Sequence, residues 1–187
     1  MSLGRYSNLK GQHAFLSPSN YYWLNYTPEK LCETWRNRQN VLRGTELHDI
    51  AAKCIEHGIR LARNNQTLNM YVNDAIGYRM EPEQVLYYSD VCFGTADAIS
   101  FNRKLLRIHD LKTGVVPADM AQLMIYAALF CLQEHVDPND ISFELRIYQN
   151  NEVKTSTPDG DDVKKVMDII VESSRLLEDL IDREGRT

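Results

Sequence analysis

Long apolar runs and paired cysteines are both missing from this 187-residue sequence. No stretch is apolar enough to cross a bilayer, and the N-terminal segment MSLGRYSNLKGQHAF lacks the continuous apolar core of a secretory signal. We therefore expect a cytoplasmic protein with no membrane partner. The cysteines form no CxxC pair, which argues against a disulfide framework and against a cluster held by closely spaced thiolates. We interpret them as small buried hydrophobic residues: Cys32, Cys54, Cys92 and Cys131.

An excess of basic charge is missing too, because the formal net charge is -5 and the pI is about 5.5. This argues against nucleic-acid binding through a broad basic surface. It does not exclude a metal-dependent enzyme that acts on nucleic acid, since bound divalent cations invert the charge of an acidic site. The length and the hydrophobic fraction of 43% predict a single domain over residues 1–187, with one sizeable core.

The hydrophobic pattern predicts the element order α-α-β-β-α-β-α, a mixed α/β sandwich. An N-terminal helical segment is expected over about residues 15–63, and a last amphipathic helix over about 161–183. The first long helix has Thr27 as its predicted N-cap, followed by Pro28, and the sequence GTELH is expected to open a second helix.

The core of the domain is expected over about residues 84–150. Residues 84–101 are rich in β-branched and aromatic side chains and predict a strand, and KLLRIHDLKTG predicts the next strand. Pro117 is expected to open a helix, and DISFELRIYQ alternates as a half-buried strand does. Residues 64–82 fit no element clearly.

The segments GTAD and HDLKTG carry the candidate chemistry. Side chains alternate along a strand, so Asp110 and Lys112 point the same way. A two-residue loop at Arg103–Lys104 would pair Asp97 with Asp110, whereas an odd loop would need a bulge to bring them together. Two close carboxylates repel each other, and a hard divalent cation such as Mg²⁺ or Mn²⁺ relieves that repulsion. An isolated DxK is common by chance.

Three further polar residues are weak indicators of function when each is taken alone. His48 lies at the edge of an apolar helix face, where a histidine alone is typical of a helix interface. Gln122 and Tyr126 share one face of the helix after DLKTG, where alone they are typical of the polar border of a core helix.

Four motifs in order resemble the RecB-like branch of the PD-(D/E)xK nuclease superfamily: GTELH at 44–48, FGTADAI at 93–99, DLKTG at 110–114 and QLMIYA at 122–127. HAFLSPSNYYWLNYTP at 13–28 is most similar to the N-terminus of phage and prophage exonucleases. The resemblance implies a single-domain restriction-endonuclease-like fold, a central mixed β-sheet flanked by helices.

The resemblance also implies roles for single residues. Metal ligation would come from His48, Asp97, Asp110 and the carbonyl of Leu111, with Mg²⁺ or Mn²⁺ as the cofactor. Lys112 would be the catalytic lysine, and Gln122 and Tyr126 would lie beside it and the DNA backbone. Glu46 is a candidate further acid. Several relatives carry an iron–sulfur cluster with three cysteines after the core; no cysteine follows Cys131 here, so no such cluster is expected.

These roles imply a metal-dependent DNA nuclease, an exonuclease of phage or prophage origin that serves recombination or repair in a bacterial host. Its expected partner is DNA with free ends, and by analogy a phage strand-annealing protein. One alternative is a structure-specific or nicking endonuclease. Another is a non-catalytic DNA-end or protein-binding module, which would be marked by the loss of a carboxylate or of the lysine; neither is lost.

Overall fold

The computed structural model describes residues 14–184, which fall into two compact units that divide between Arg43 and Gly44. The first unit holds a 3-10 helix (Pro18–Asn25) and the start of helix α1 (Pro28–Glu56). As predicted, the Thr27 hydroxyl accepts a hydrogen bond from the Lys30 amide at 3.3 Å, which caps α1.

Helix α1 is one continuous helix, so the prediction of two separate helices was wrong. The second helix had been predicted to open at Gly44, but α1 runs through this position, although a glycine inside a helix costs about 1 kcal/mol relative to alanine. A Cβ at Gly44 would lie 2.7 Å from the Thr113 hydroxyl, so the helix needs a glycine here for its close approach to that residue.

The second unit is built on a five-stranded mixed sheet, which confirms the α/β class with a central mixed sheet and flanking helices. Its strands lie in sequence order across the sheet, and only β3 and β4 pair in parallel. The strands are β1 (Glu81–Ser89), β2 (Cys92–Asn102), β3 (Leu105–Leu111), β4 (Ser142–Gln149) and β5 (Glu152–Ser156). The helices of this unit, besides the end of α1, are α2 (Thr67–Gly77), α3 (Ala121–Gln133) and α4 (Gly160–Glu184).

Several predicted elements need correction. The predicted strand over 84–101 is two antiparallel strands, β1 and β2, and residues 64–82 contain helix α2. Helix α3 begins at Ala121, not at Pro117, and strand β5 had not been predicted. Of the cysteines, only Cys131 is buried, while Cys32 is exposed, so their interpretation as buried hydrophobic residues was wrong in part.

The β2–β3 hairpin has the predicted two-residue loop. Arg103 and Lys104 have φ values of 51° and 62°, the left-handed conformation that a type I′ turn needs at both central positions. The printed register runs from Asn102 opposite Leu105 to Ala98 opposite His109. Asp97 and Asp110 are the residues that follow this last pair on the two strands.

Each face of the sheet carries its own core. On one face, α3 and α4 pack against β-strand residues such as Leu106, Phe143 and Leu145. On the other face, α2 and the end of α1 pack around Tyr71 and Tyr148. Strand β3 contributes to both cores, so the polar residues at its end lie between helices of the two layers. Within residues 14–184, no helix combines the length and the apolar character needed to cross a membrane.

Candidate metal centre and active site

Asp97 lies at an interruption of the β1–β2 ladder. The paired positions are Pro82 with Ala98 and Gln84 with Ala96, so Glu83 and Asp97 fall between them, outside the paired set. Glu83 has a φ of 50°, a left-handed conformation that costs a residue other than glycine about 1–3 kcal/mol. Such strain is typical of functional sites, and here it accompanies the approach of Glu83 to Asp97.

Three side chains converge at this interruption. His48 Nδ1 from α1 lies 3.4 Å from Asp97 Oδ2, and one donor atom each of His48, Glu83 and Asp97 lies within 4.8 Å of the other two. The hydrogen-bonding contact with Asp97 raises the pKa of His48, while burial and the Asp97 charge raise the pKa of Glu83. A group of this composition and spacing can hold a metal ion.

Leu111 connects this group to strand β3. Its backbone amide donates a hydrogen bond to Asp97 Oδ2 at 2.8 Å, and the Lys112 amide donates to the Tyr148 carbonyl at 2.9 Å. These two bonds fix the end of β3 between β2 and β4. The structure therefore places Leu111 at the site through its amide, and a ligand role for its carbonyl stays a prediction.

Asp110 is the most buried of the candidate acids, with 2% of its surface exposed. Its Oδ1 accepts a hydrogen bond from Lys112 Nζ at 3.0 Å, but its Oδ2 is buried and has no hydrogen-bond partner within residues 14–184. Burial, followed by the Asp97 charge, raises the pKa of Asp110, against the opposing effect of Lys112. A buried carboxylate oxygen without a partner is costly, and a bound cation would remove that cost.

Helix α3 holds the lysine in place. Lys112 Nζ donates to Gln122 Oε1 at 2.8 Å, and Gln122 Nε2 donates to the Tyr126 hydroxyl at 3.3 Å. That hydroxyl donates to the Thr95 carbonyl at 2.7 Å, so one chain of hydrogen bonds runs from Lys112 back to strand β2. A Cβ at Gly94 would lie 3.0 Å from the Tyr126 ring, so glycine lets the ring approach the strand.

The donor set fits a divalent metal ion. Glu83 and Asp97 lie with the imidazole of His48 in one group of donor atoms, and Asp110 contacts the ammonium group of Lys112 beside it. Carboxylate oxygens suit Mg²⁺ and Mn²⁺, and an imidazole nitrogen shifts the preference toward Mn²⁺ and other transition metals. The unpartnered Asp110 oxygen is the observation that favours an ion over a plain ion-pair cluster.

Glu83 is the site residue that sequence reasoning missed. It lies in no motif, and the pairing of β1 with β2 brings it to Asp97. Glu46, the candidate further acid, is exposed on α1. For Glu83, the one signal in the sequence was the pair of acidic residues in EPEQ at 81–84, at the start of a β-rich stretch.

No model of a known protein family matches this chain, and a search of curated proteins finds no match either.

Proposed function

We propose that this protein is a metal-dependent DNA nuclease of the PD-(D/E)xK type, which hydrolyses phosphodiester bonds. The observation that carries the proposal is the end of strand β3, where buried Asp110 leaves one oxygen unpartnered beside Lys112 and within reach of the Asp97 charge. Two carboxylates and a lysine in this arrangement are suited to metal-assisted phosphoryl chemistry.

His48, Glu83, Asp97 and Asp110 would hold Mg²⁺ or Mn²⁺. When bound, such an ion supplies a water of lowered pKa and neutralises charge on the phosphate. The protein's own contribution is to fix the donors before substrate arrives. The Leu111 amide and His48 both contact Asp97 Oδ2, which restrains that carboxylate from two sides.

Lys112 would act on the reacting groups directly. Asp110 and Gln122 hold its ammonium group at 3.0 Å and 2.8 Å, so the charge is positioned without a rearrangement at the moment of reaction. A compact ammonium can contact a phosphate oxygen or orient the attacking water, and it stabilises charge that develops on phosphorus-bound oxygens. Gln122 and Tyr126 are positioning residues for this lysine.

We further propose an exonuclease that acts on DNA ends in recombination or repair, following the resemblance to phage and prophage exonucleases. The substrate test uses end-labelled linear DNA and covalently closed circular DNA, each incubated with Mg²⁺, with Mn²⁺ and with chelator. An exonuclease degrades the linear DNA only, and a nicking endonuclease also cuts the closed circle. Absence of metal-dependent cleavage from every substrate would contradict the proposal and favour a non-catalytic binding module.

A further inference from the structure

A cavity of about 320 Å³ opens beside Lys112 on the side of the sheet that carries α1 and α2. Its walls come from four elements that are far apart in the sequence. Leu47 is contributed by α1, Leu68 by α2, Leu111 by the end of β3, and Asn150 and Asn151 by the β4–β5 turn. No role described so far for the metal centre uses this space.

The rim of the cavity is fixed by hydrogen bonds. Asn151 Oδ1 accepts from both the amide and the hydroxyl of Thr67, at 3.1 Å and 3.2 Å, and the Asn151 amide donates to the Thr67 hydroxyl at 2.7 Å. Asn150 Nδ2 donates to the Val115 carbonyl at 3.3 Å. The turn is thus tied to α2 on one side and to the loop after β3 on the other, so the cavity is preformed.

The lining combines flat apolar surface with polar edges. Leu111 is buried, with 1% of its surface exposed, while Leu47 and Leu68 are half-buried, so all three present aliphatic carbon to the cavity. At its rim, Asn150 Oδ1 and Asn151 Nδ2 take no part in the hydrogen bonds described above, so they can accept and donate, respectively, to a ligand. A nucleobase has the matching character, with apolar faces and a polar edge.

We propose that this cavity takes one base of the DNA strand, the base next to the phosphate that the metal centre cleaves. The proposal rests on the proposed nuclease function, because Lys112 lines the cavity and also belongs to the candidate active site. The volume lies at the small end of ligand pockets, about 300–1,000 Å³, which suits one base and not a base pair. The substrate is then a strand that is single or unpaired at the reacting end.

The test measures DNA binding separately from cleavage. Single-stranded oligonucleotides that each carry one abasic residue, moved stepwise along the strand, are titrated by fluorescence anisotropy with Ca²⁺ in place of Mg²⁺. Wild-type protein is compared with Leu68→Trp and Leu47→Phe, two substitutions that fill the cavity from different walls. Val85→Trp is the matched control, since Val85 is 57% exposed on strand β1 and does not line the cavity. The melting temperature of each variant reports its folding.

For the wild type and Val85→Trp, loss of one particular base should weaken binding on the order of tenfold, because that base no longer buries its apolar faces against the leucines of the cavity. In a folded cavity-filling variant, the same abasic residue should change the affinity less than about twofold, because the base no longer enters. Equal sensitivity in the wild type and both filled variants, or no sensitive position in the wild type, would overturn the proposal. A sensitive position without metal-dependent cleavage would support the base pocket and contradict the nuclease.

Discussion

Two clusters of charged side chains lie on this sheet. In only one of them does the number of positive side chains equal the number of negative ones. The first, which we call the arginine network, joins β3, β4 and α2. Arg107 contacts Glu144 at 3.0 Å, and Arg146 contacts both Asp74 at 3.1 Å and Glu144 at 3.3 Å. Two guanidinium groups are thus matched to two carboxylates, and the Tyr148 hydroxyl adds a hydrogen bond to Asp74 at 2.7 Å.

The candidate metal centre lies one residue further along β3, and its charges do not balance. Glu83, Asp97 and Asp110 outnumber Lys112, and the unpartnered atom is a carboxylate oxygen. In the arginine network, two buried nitrogen atoms have no hydrogen-bond partner among residues 14–184. They are His109 Nε2, on a ring whose pKa is lowered, and Arg146 Nε, on a guanidinium group with other hydrogen bonds. The arginine network therefore balances its charges within itself, whereas the candidate metal centre keeps an excess of negative charge that a bound cation would neutralise.

The largest expected effect is the loss of DNA cleavage when a carboxylate is removed from the candidate metal centre. Removal of a carboxylate from the arginine network should have no such effect. Asp110→Ala should reduce single-turnover cleavage of linear DNA by about 10³-fold or more and weaken metal binding with it, because a metal carboxylate is lost. Raised Mn²⁺ should restore part of the activity. The matched control is Asp74→Ala in the arginine network, which should retain cleavage in its folded fraction. Equal losses in the two variants would remove the distinction between the clusters.

The second largest effect is expected for Lys112, which contacts Asp110. Lys112→Ala should lower the cleavage rate by about 10²- to 10³-fold, as for loss of one preorganised group that stabilises the transition state. Metal affinity in calorimetry should persist, because all three carboxylates remain, and DNA affinity should change little, since many phosphate contacts contribute to it. Wild-type cleavage by this variant would exclude Lys112 from the mechanism.

A third prediction applies to stability. Arg146→Leu removes the guanidinium between Asp74 and Glu144 and should lower the free energy of unfolding by about 3 kcal/mol, at the low end for a broken buried pair. The low end applies because the Asp74 side chain is 40% exposed. Denaturant unfolding measures this change. A drop below about 0.5 kcal/mol would show that the network does not stabilise the fold.

The last prediction in this series concerns the pH dependence of the same network. Burial, with the charges of Arg146 and Arg107, lowers the pKa of His109 to about 3. The folded state therefore resists protonation that the unfolded chain accepts below its ordinary pKa of about 6.5, so stability falls as the pH drops from about 6.5 towards 3. The slope from this group is at most about 1.4 kcal/mol per pH unit. His109→Gln should flatten unfolding free energy against pH in that window, and an unchanged slope would assign it to other groups.

The sequence predicted the parts of the fold that depend on local chemistry. Alternation predicted β4, the helical period predicted α4, and a two-residue turn set the β2–β3 register. The sequence could not predict those features of the fold that depend on contacts between residues far apart in the chain. A second helix had been predicted to open at Gly44, but the packing of Thr113 against α1 favours a glycine inside a continuous helix.

The same reasoning explains the one candidate ligand that was missed. Asp97, Asp110 and Lys112 were found because strand alternation and hairpin register relate them over a short stretch of sequence. Glu83 reaches Asp97 through the β1–β2 pairing and a left-handed backbone conformation, and neither leaves a motif in the sequence. The arginine network was missed for the same reason, since α2 supplies Asp74 from a segment without a clear pattern.

The measurement that tests the central claim most directly is thermal unfolding with and without Mn²⁺, for the wild type and for Asp97→Asn. If the unbalanced carboxylates form a metal site, Mn²⁺ at about 100 times its Kd should stabilise the wild type by about 2.7 kcal/mol. For a chain of this size that corresponds to a rise in Tm of roughly 5–10 °C. The variant should show little rise, because Asp97 is the acid that His48 and the Leu111 amide both contact. An unchanged Tm in the wild type, or an equal rise in both proteins, would contradict the account.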